Sequence, residues 1–350
     1  MAKAKRINLA LQGGGSHGAF TWGVLDRLLD EPGIEIASVS GTSAGALNGA
    51  ALKGGLSAAP GKAGRDAAKR NLRHIWSEVE QLSDNRVVRW MTSVFPLPRA
   101  MQRWAEFFSP AAWLDNVTRV FSPYDYGLFY SNPLRHIIQE MPFPRVDIDA
   151  GPRFFVTATN VRTGKIRIFS GAEITADAIM ASACLPNLFR AVEIRDPATG
   201  THEAYWDGGY SGNPALFPLF HPDLPRDIVI VNINPMLREA IPKTPAAIQD
   251  RINEISFNAS LLSELRAISF VKRLFAQGRI DEGAMKNVLV HMIMDDSLMN
   301  DLTARSKVTP SPGMIEVMRD AGWNAAEKFL SESGGNLGQR DSIDIPSLLS

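Results

Sequence analysis

Ile7-Asn8-Leu9-Ala10-Leu11-Gln12-Gly13-Gly14-Gly15-Ser16-His17-Gly18 decides how this chain begins to fold. Ile7 to Leu11 has the character of a short buried strand, and the glycines at 13, 14, 15 and 18 break it. Phe20, Val24, Leu25, Leu28 and Leu29 then recur at helical spacing. Pro32-Gly33 closes that helix, Ile34 to Val39 reads as a second strand, and the alanine- and leucine-rich sequence from Ala44 predicts a second helix. Two such strand-to-helix units in succession predict a parallel sheet with helices packed on it.

Further along, residues 65–80 predict another helix, and then the texture changes. Between Arg86 and Tyr130 lie eleven of the 29 aromatic residues, from Trp90 to Tyr130, with prolines at 96, 98, 110 and 123 that break long regular elements. This is expected to be an aromatic-rich helical insertion or cap. It either buries its own rings or forms a lid or membrane-touching rim, since Trp and Tyr suit a water–lipid boundary. Core texture resumes with strand-like Phe154–Thr159 and Lys165–Phe169 around an Arg162-Thr163-Gly164 turn, a hairpin pattern. A helix over Thr175–Leu185 and strands at Ala191–Ile194 and Ile228–Ile233 follow. Pro245 to Gln277 is the longest helical pattern, with Ile248, Ile252, Ile255, Ala259, Leu262 and Leu265 on one stripe. Val288–Met294 reads as a last strand and Met314–Leu330 as a last helix, while the polar, glycine-rich sequence from Ser331 is expected to be a loose tail.

Apolar residues at 45% and charged residues at 21% are ordinary globular values. Lys plus Arg equals Asp plus Glu at 37 each, so no global field draws the protein to nucleic acid or anionic lipid, and any membrane contact would be local. The single cysteine, Cys184, excludes an intramolecular disulfide framework and offers no cysteine cluster for a metal. The basic start is followed by too short an apolar run for a signal peptide, and no stretch approaches the roughly 20 apolar residues of a spanning helix. A cytoplasmic protein, with peripheral membrane contact left open, is expected.

The glycine loop lets backbone approach a ligand closely, and the helix start behind it offers unsatisfied N–H groups. Gly13, Gly15 and Gly18 also fit a dinucleotide-binding G-x-G-x-x-G, but the second strand ends in Ala37-Ser38-Val39-Ser40 without the acidic residue that would hold a ribose. Taken alone, the loop leaves oxyanion binding, cofactor binding and plain tight packing open. Its partner is Gly41-Thr42-Ser43-Ala44-Gly45, a G-x-S-x-G between a predicted strand and a predicted helix, the setting of a nucleophile elbow. There Ser43 would project, and the N–H of Ala44 would face a developing oxyanion. A serine needs a base. Of the six histidines, His17, His74, His136, His202, His221 and His291, none carries the signature of a triad base, although His221 and His291 fit the chain order Ser, Asp, His. Asp207, in Tyr205-Trp206-Asp207-Gly208-Gly209, is the better candidate, with apolar neighbours and two glycines that let backbone fold close.

Together Gly13-Gly14-Gly15-Ser16-His17-Gly18, Gly41-Thr42-Ser43-Ala44-Gly45 and Asp207-Gly208-Gly209 closely resemble the patatin-like phospholipase family. Ala181-Ser182-Ala183-Cys184-Leu185-Pro186-Asn187-Leu188-Phe189 resembles a further element of that family. The resemblance spans about residues 6–300, with the helix within 301–330 packed on that domain and 331–350 beyond it. It implies a three-layer α/β/α fold with a central, mostly parallel sheet, and lipid acyl hydrolase activity on phospholipid, lysophospholipid or other carboxylic esters without metal or cofactor. It also implies Ser43 as nucleophile, Asp207 as base without histidine, and an oxyanion hole from backbone amides of the glycine loop. The candidate hole is therefore Gly13, Gly14, Gly15 and Ala44. Ser16, His17, Gly18, Gly41, Gly45, Gly208 and Gly209 would support it. His17 stands where many relatives carry Arg or Lys. Acyl transfer through the same acyl-enzyme, and a nucleotide- or lipid-binding protein without catalysis, are the alternatives.

Overall fold

The computed structural model describes residues 4–83, 122–125, 130, 132–140, 149–239, 241–281, 283–302 and 313–350. Of the aromatic-rich segment over 86–130, all but 122–125 and 130 lies outside the described residues. Among the described residues there are eight strands: β1 (Lys5–Leu11), β2 (Ile34–Thr42), β3 (Arg153–Asn160), β4 (Ile166–Ser170), β5 (Val192–Arg195), β6 (His202–Asp207), β7 (Asp227–Val231) and β8 (Leu289–Ile293). The helices that matter here are α1 (Gly18–Asp30), α2 (Ala44–Ala58), α3 (Gly61–Ser83), α4 (Leu134–Glu140), α5 (Ala176–Ser182), α6 (Pro245–Ala276), α7 (Asp296–Asp301), α8 (Met314–Ser333) and α9 (Ile345–Leu349).

The sheet runs β5-β6-β3-β2-β1-β7-β8, with β4 also antiparallel to β3. β1 is parallel to β2 and β7, β2 to β3, and β7 to β8, while β6 is antiparallel to β3 and β5. The sheet is thus mixed and mostly parallel, and side-chain alternation divides its strands between two cores. Ile7, Leu9 and Leu11 of β1 and Val229 and Val231 of β7 join the core shared with α1, α2, α3 and α8. Ala10, Ile228 and Ile230 join the other, with Leu261, Leu265 and Ile268 of α6. Two glycines let α1 and α8 meet backbone to backbone: a Cβ on Gly23 would stand 1.8 Å from the Arg319 carbonyl oxygen, and one on Gly322 1.9 Å from that of Phe20.

Three expectations need correction. The stripe on α6 is only partly its buried face: Leu265 is buried, but Ile248, Ile252, Ile255 and Ala259 are exposed, and Phe257, Leu261 and Ile268, also buried, lie off the stripe. Residues after Ser333 are not a loose tail. Leu337 and Ile345 are buried, and the Ser342 N–H donates to the Val290 carbonyl on β8 (3.1 Å). The Ser342 hydroxyl also meets His291 Nδ1 at 2.7 Å. Finally, no strand is expected between 194 and 228, yet β6 runs over His202–Asp207 and ends on Asp207.

Candidate active site

Ser43 sits between β2 and α2 with φ 54° and ψ −122°, the one non-glycine residue with positive φ among those described. Holding a side chain there costs on the order of 1–3 kcal/mol. The flanking glycines are sterically required. A Cβ on Gly41 would come within 2.5 Å of the Gly45 carbonyl oxygen, and one on Gly45 within 2.1 Å of the Leu11 oxygen. The glycine loop is pressed against the same turn, since a Cβ on Gly13 would lie 2.6 Å from Ser43 Cβ and one on Gly18 2.6 Å from Ala44 Cβ. The Ser43 N–H donates to the buried Ser182 hydroxyl on α5 at 2.9 Å, satisfying an amide that the turn would otherwise orphan.

Asp207 is brought to this turn by the β3–β6 ladder, where it pairs with Ala158. Its N–H donates to the Cys184 carbonyl (2.8 Å), and the Thr159 hydroxyl donates to its own carbonyl (2.8 Å). A Cβ on Gly208 would collide with the Thr157 carbonyl oxygen at 2.2 Å and approach the Thr42 methyl at 3.0 Å, while one on Gly209 would strike the Phe257 ring at 2.8 Å. These two glycines are therefore what allow the carboxylate to lie so deep. Asp207 is fully buried; its Oδ1 accepts the Gly209 N–H at 2.7 Å, and Oδ2 is left without a hydrogen-bond partner. Burial pushes its pKa up to about 7, against the opposing pull of the Gly209 N–H and the Ser43 hydroxyl. The serine hydroxyl thus lies near enough to favour the ionised carboxylate without meeting the geometry of a full hydrogen bond. Burial together with the Asp207 charge also pushes the Cys184 thiol up to about 12, so it is no rival nucleophile.

Of the four residues expected in the oxyanion hole, Gly13 must be withdrawn, because its N–H is already taken by Asn213 Oδ1 at 2.6 Å. Gly14 precedes a short 3-10 turn, Gly15 to His17, and Gly15 has φ 60°. Ala44 opens α2, where the first amides have no intrahelical acceptor. Ser16 and His17 are buried in the turn that leads into α1. The histidines weighed as alternative bases go elsewhere. His291 is buried between Asp227 (3.0 Å) and Ser342 (2.7 Å). His221 lies beside Arg153, which is level with Ser38 in the sheet register and toward the far end of β2 from Ser43. Two residues to which the sequence reading gave no role in the site, Ser182 and Asn213, hold it together. Ser182 carried a signal, as the hydroxyl of the Ala181-to-Phe189 element. Tyr124 and Tyr130, from the aromatic-rich segment, accept the Ala191 and Arg190 N–H groups at 3.1 and 3.0 Å.

A mixed α/β sheet carrying a strained serine at a strand-to-helix turn is the architecture of a serine hydrolase. A family model described as patatin-like phospholipase matches residues 9–220, and the chain belongs to that family of ester-cleaving serine hydrolases, whose membership implies lipid acyl hydrolase activity. No curated protein matches the chain. Among solved structures, VipD from Legionella pneumophila is similar, at 17% identity and a TM-score of 0.39, covering 94% of this chain and 67% of that one. Among the described residues, no helix is long and apolar enough to cross a membrane.

Proposed function

We propose that the protein cleaves carboxylic esters of lipids through an acyl-enzyme on Ser43, with Asp207 as the base. One observation carries this reading: a serine in a costly backbone conformation faces a fully buried carboxylate whose free oxygen has no other partner. Ser43 Oγ attacks the ester carbonyl carbon as its proton passes to Asp207 Oδ2. Amides of Gly14, Gly15 and Ala44 receive the oxyanion. The C–O bond to the alcohol then breaks, and the departing oxygen takes the proton from Asp207. Water attacks the acyl-enzyme, giving its proton to the same carboxylate, and the fatty acid leaves as Ser43 recovers a proton. A pKa near 7 suits Asp207 to both directions of transfer at neutral pH, where an ordinary aspartate would be too weak a base. The two cores on opposite sheet faces support the three-layer reading of the scaffold.

The test is labelling with a fluorophosphonate, followed by a panel of phospholipid, lysophospholipid and monoglyceride substrates. Wild type should label and hydrolyse at least one lipid ester, whereas Ser43→Ala should do neither. Undiminished hydrolysis by Ser43→Ala would end the proposal, and labelled wild type that turns over only non-lipid esters would overturn the substrate class.

A further inference from the structure

Behind the glycine loop lies a knot of buried amide side chains that the reaction scheme does not use. Gln12, Asn213, Asn234 and Asn258 are all nearly or fully excluded from solvent. Asn213 grips Gly13 on both polar groups: Oδ1 accepts its N–H at 2.6 Å, and Nδ2 donates to its carbonyl at 3.3 Å. Asn234 Nδ2 donates to the same carbonyl at 2.8 Å. Gln12 braces both. Its Nε2 donates to the Asn213 carbonyl (3.2 Å) and to Asn258 Oδ1 (3.3 Å), and its Oε1 accepts from the Asn234 backbone and side chain at 3.1 Å each. The Asn213 N–H is anchored in turn on the Ser260 hydroxyl of α6 at 3.0 Å.

Burying four amides is unfavourable unless each is paired, so the pairing is worth interpreting. The Gly13 carbonyl and the Gly14 N–H belong to one planar trans peptide unit, and in such a unit C=O and N–H point in opposite directions. Donors that fix the carbonyl therefore fix the direction of the amide. By drawing electron density toward the carbonyl oxygen, they also make that N–H a better donor. A carboxamide carries its acceptor and its donors on separate atoms of one planar group, which is how Asn213 holds both polar groups of Gly13.

We infer that Asn213 and Asn234, braced by Gln12, are positioning residues for the oxyanion hole: they clamp the Gly13–Gly14 peptide so that the Gly14 amide is aimed at the reacting carbonyl. This rests on the assignment of Ser43 and the glycine-loop amides proposed above.

The experiment compares hydrolysis of a p-nitrophenyl ester with that of its thionoester, in which sulfur replaces the carbonyl oxygen and accepts hydrogen bonds poorly. The proteins are wild type, Asn213→Leu, Asn234→Leu, Asn234→Ser and Ser43→Ala, each checked by thermal unfolding. Loss of one hole donor costs about 10²–10³ in kcat. A misaimed donor is expected to cost about tenfold or more on the oxygen ester with KM nearly unchanged, and clearly less on the thionoester, so the ratio of the two rates falls. Asn234→Ser keeps a hydroxyl donor at shorter reach and should fall between wild type and the leucine variant; it also carries the test should either leucine variant fail to fold. Folded clamp variants with wild-type kcat, or with equal losses on both esters, would overturn the clamp while a silent Ser43→Ala left the nucleophile standing. A Ser43→Ala protein as active as wild type, or a wild type inert on the oxygen ester, would instead remove the reading on which the clamp depends.

Discussion

Replacing Asp207 by asparagine should abolish turnover and at the same time stabilise the folded protein at alkaline pH. The carboxylate is completely buried and its pKa lies near 7 instead of 3.8. At about 1.4 kcal/mol per pKa unit, that rise corresponds to roughly 4 kcal/mol. An acid whose pKa is higher in the folded chain than in the unfolded one holds more protons when folded between those two values. Folded stability therefore falls as pH rises from about 4 to about 7, and the whole penalty stands above about 7. Asparagine can still accept the Gly209 N–H but carries no charge to desolvate, so chemical denaturation at about pH 8 should show Asp207→Asn more stable than wild type by a few kcal/mol. At about pH 5 the gap should shrink markedly. Burial raises Glu264 to about 7 as well, where it accepts the Leu216 and Phe217 N–H groups, so wild type alone would mix two titrations and only the difference from the variant isolates Asp207. Under the proposed mechanism the same ionisation governs the rate. With a pKa near 7, about 1% of the carboxylate is in the basic form at pH 5 and about 90% at pH 8, so kcat/KM should climb nearly a hundredfold across that range. An activity that stays level down to pH 4.5, or an Asp207→Asn protein less stable than wild type at pH 8, would refute the reasoning.

Other outcomes follow from contacts elsewhere. Ser182→Ala removes the acceptor of the Ser43 N–H and leaves a buried amide unpaired, a loss of about 1–3 kcal/mol in denaturant unfolding, with a lower kcat as the turn relaxes. Gly322→Ala would put a methyl 1.9 Å from the Phe20 carbonyl oxygen and drive α8 from α1, so its melting temperature should fall by an amount matching about 1–3 kcal/mol or more; an unchanged value would show the helices free to separate. Truncation after Ser333 removes two buried side chains, Leu337 and Ile345, worth about 1.5–3 kcal/mol each, and strips His291 of its Ser342 partner. The truncated chain should unfold several kcal/mol more easily, and wild-type stability would restore the loose-tail reading.

Most of the sheet was legible because its parallel strands are nearly continuous apolar runs, as at Ile7–Leu11 and Ile228–Ile233, each broken by a single asparagine, a pattern that suits strands covered on both faces. β6 escaped because His202 and Glu203 open it with polar residues and Asp207-Gly208 closes it with a turn signal, although Ala204 and Tyr205 are buried between them. The α6 stripe misled for a related reason. Isoleucines at 248, 252 and 255 have helical spacing whichever way they face, and of the stripe it is Leu265 that is buried, with Leu261 and Ile268, against the sheet. The polar tail was misread because composition records neither the two buried anchors nor the ladder bond to Val290. At the site, the serine and the aspartate stand in short motifs that local steric demands impose. Gly13 lost its expected role to Asn213, 200 positions away in sequence, a partnership no local pattern encodes.

A two-residue site places a stricter demand on its scaffold than a triad would. An imidazole between serine and carboxylate spans several ångströms and can turn to take up small errors; without one, the proton must cross a single gap, whose width is set by backbone alone. β2 supplies that control through hydroxyls on alternate residues. Ser40 donates to the Ala215 carbonyl at 2.6 Å and Thr42 to that of Gly212 at 2.7 Å, pinning the segment after Asp207 onto the strand that leads into Ser43. From the other side, Thr159 on β3 holds the Asp207 carbonyl, and Ser211 lies 2.8 Å from the same hydroxyl. An alanine at Ser40 would release the Ala215 carbonyl from the strand and leave the 212–215 segment held there by Thr42 at one end only. Ser40→Ala should therefore lower kcat through a displaced Asp207 while costing only about 1 kcal/mol of stability, the worth of one hydrogen bond. Kinetics and denaturant unfolding on one preparation decide it: equal kcat at reduced stability would mean that the hydroxyl row holds the fold and not the gap.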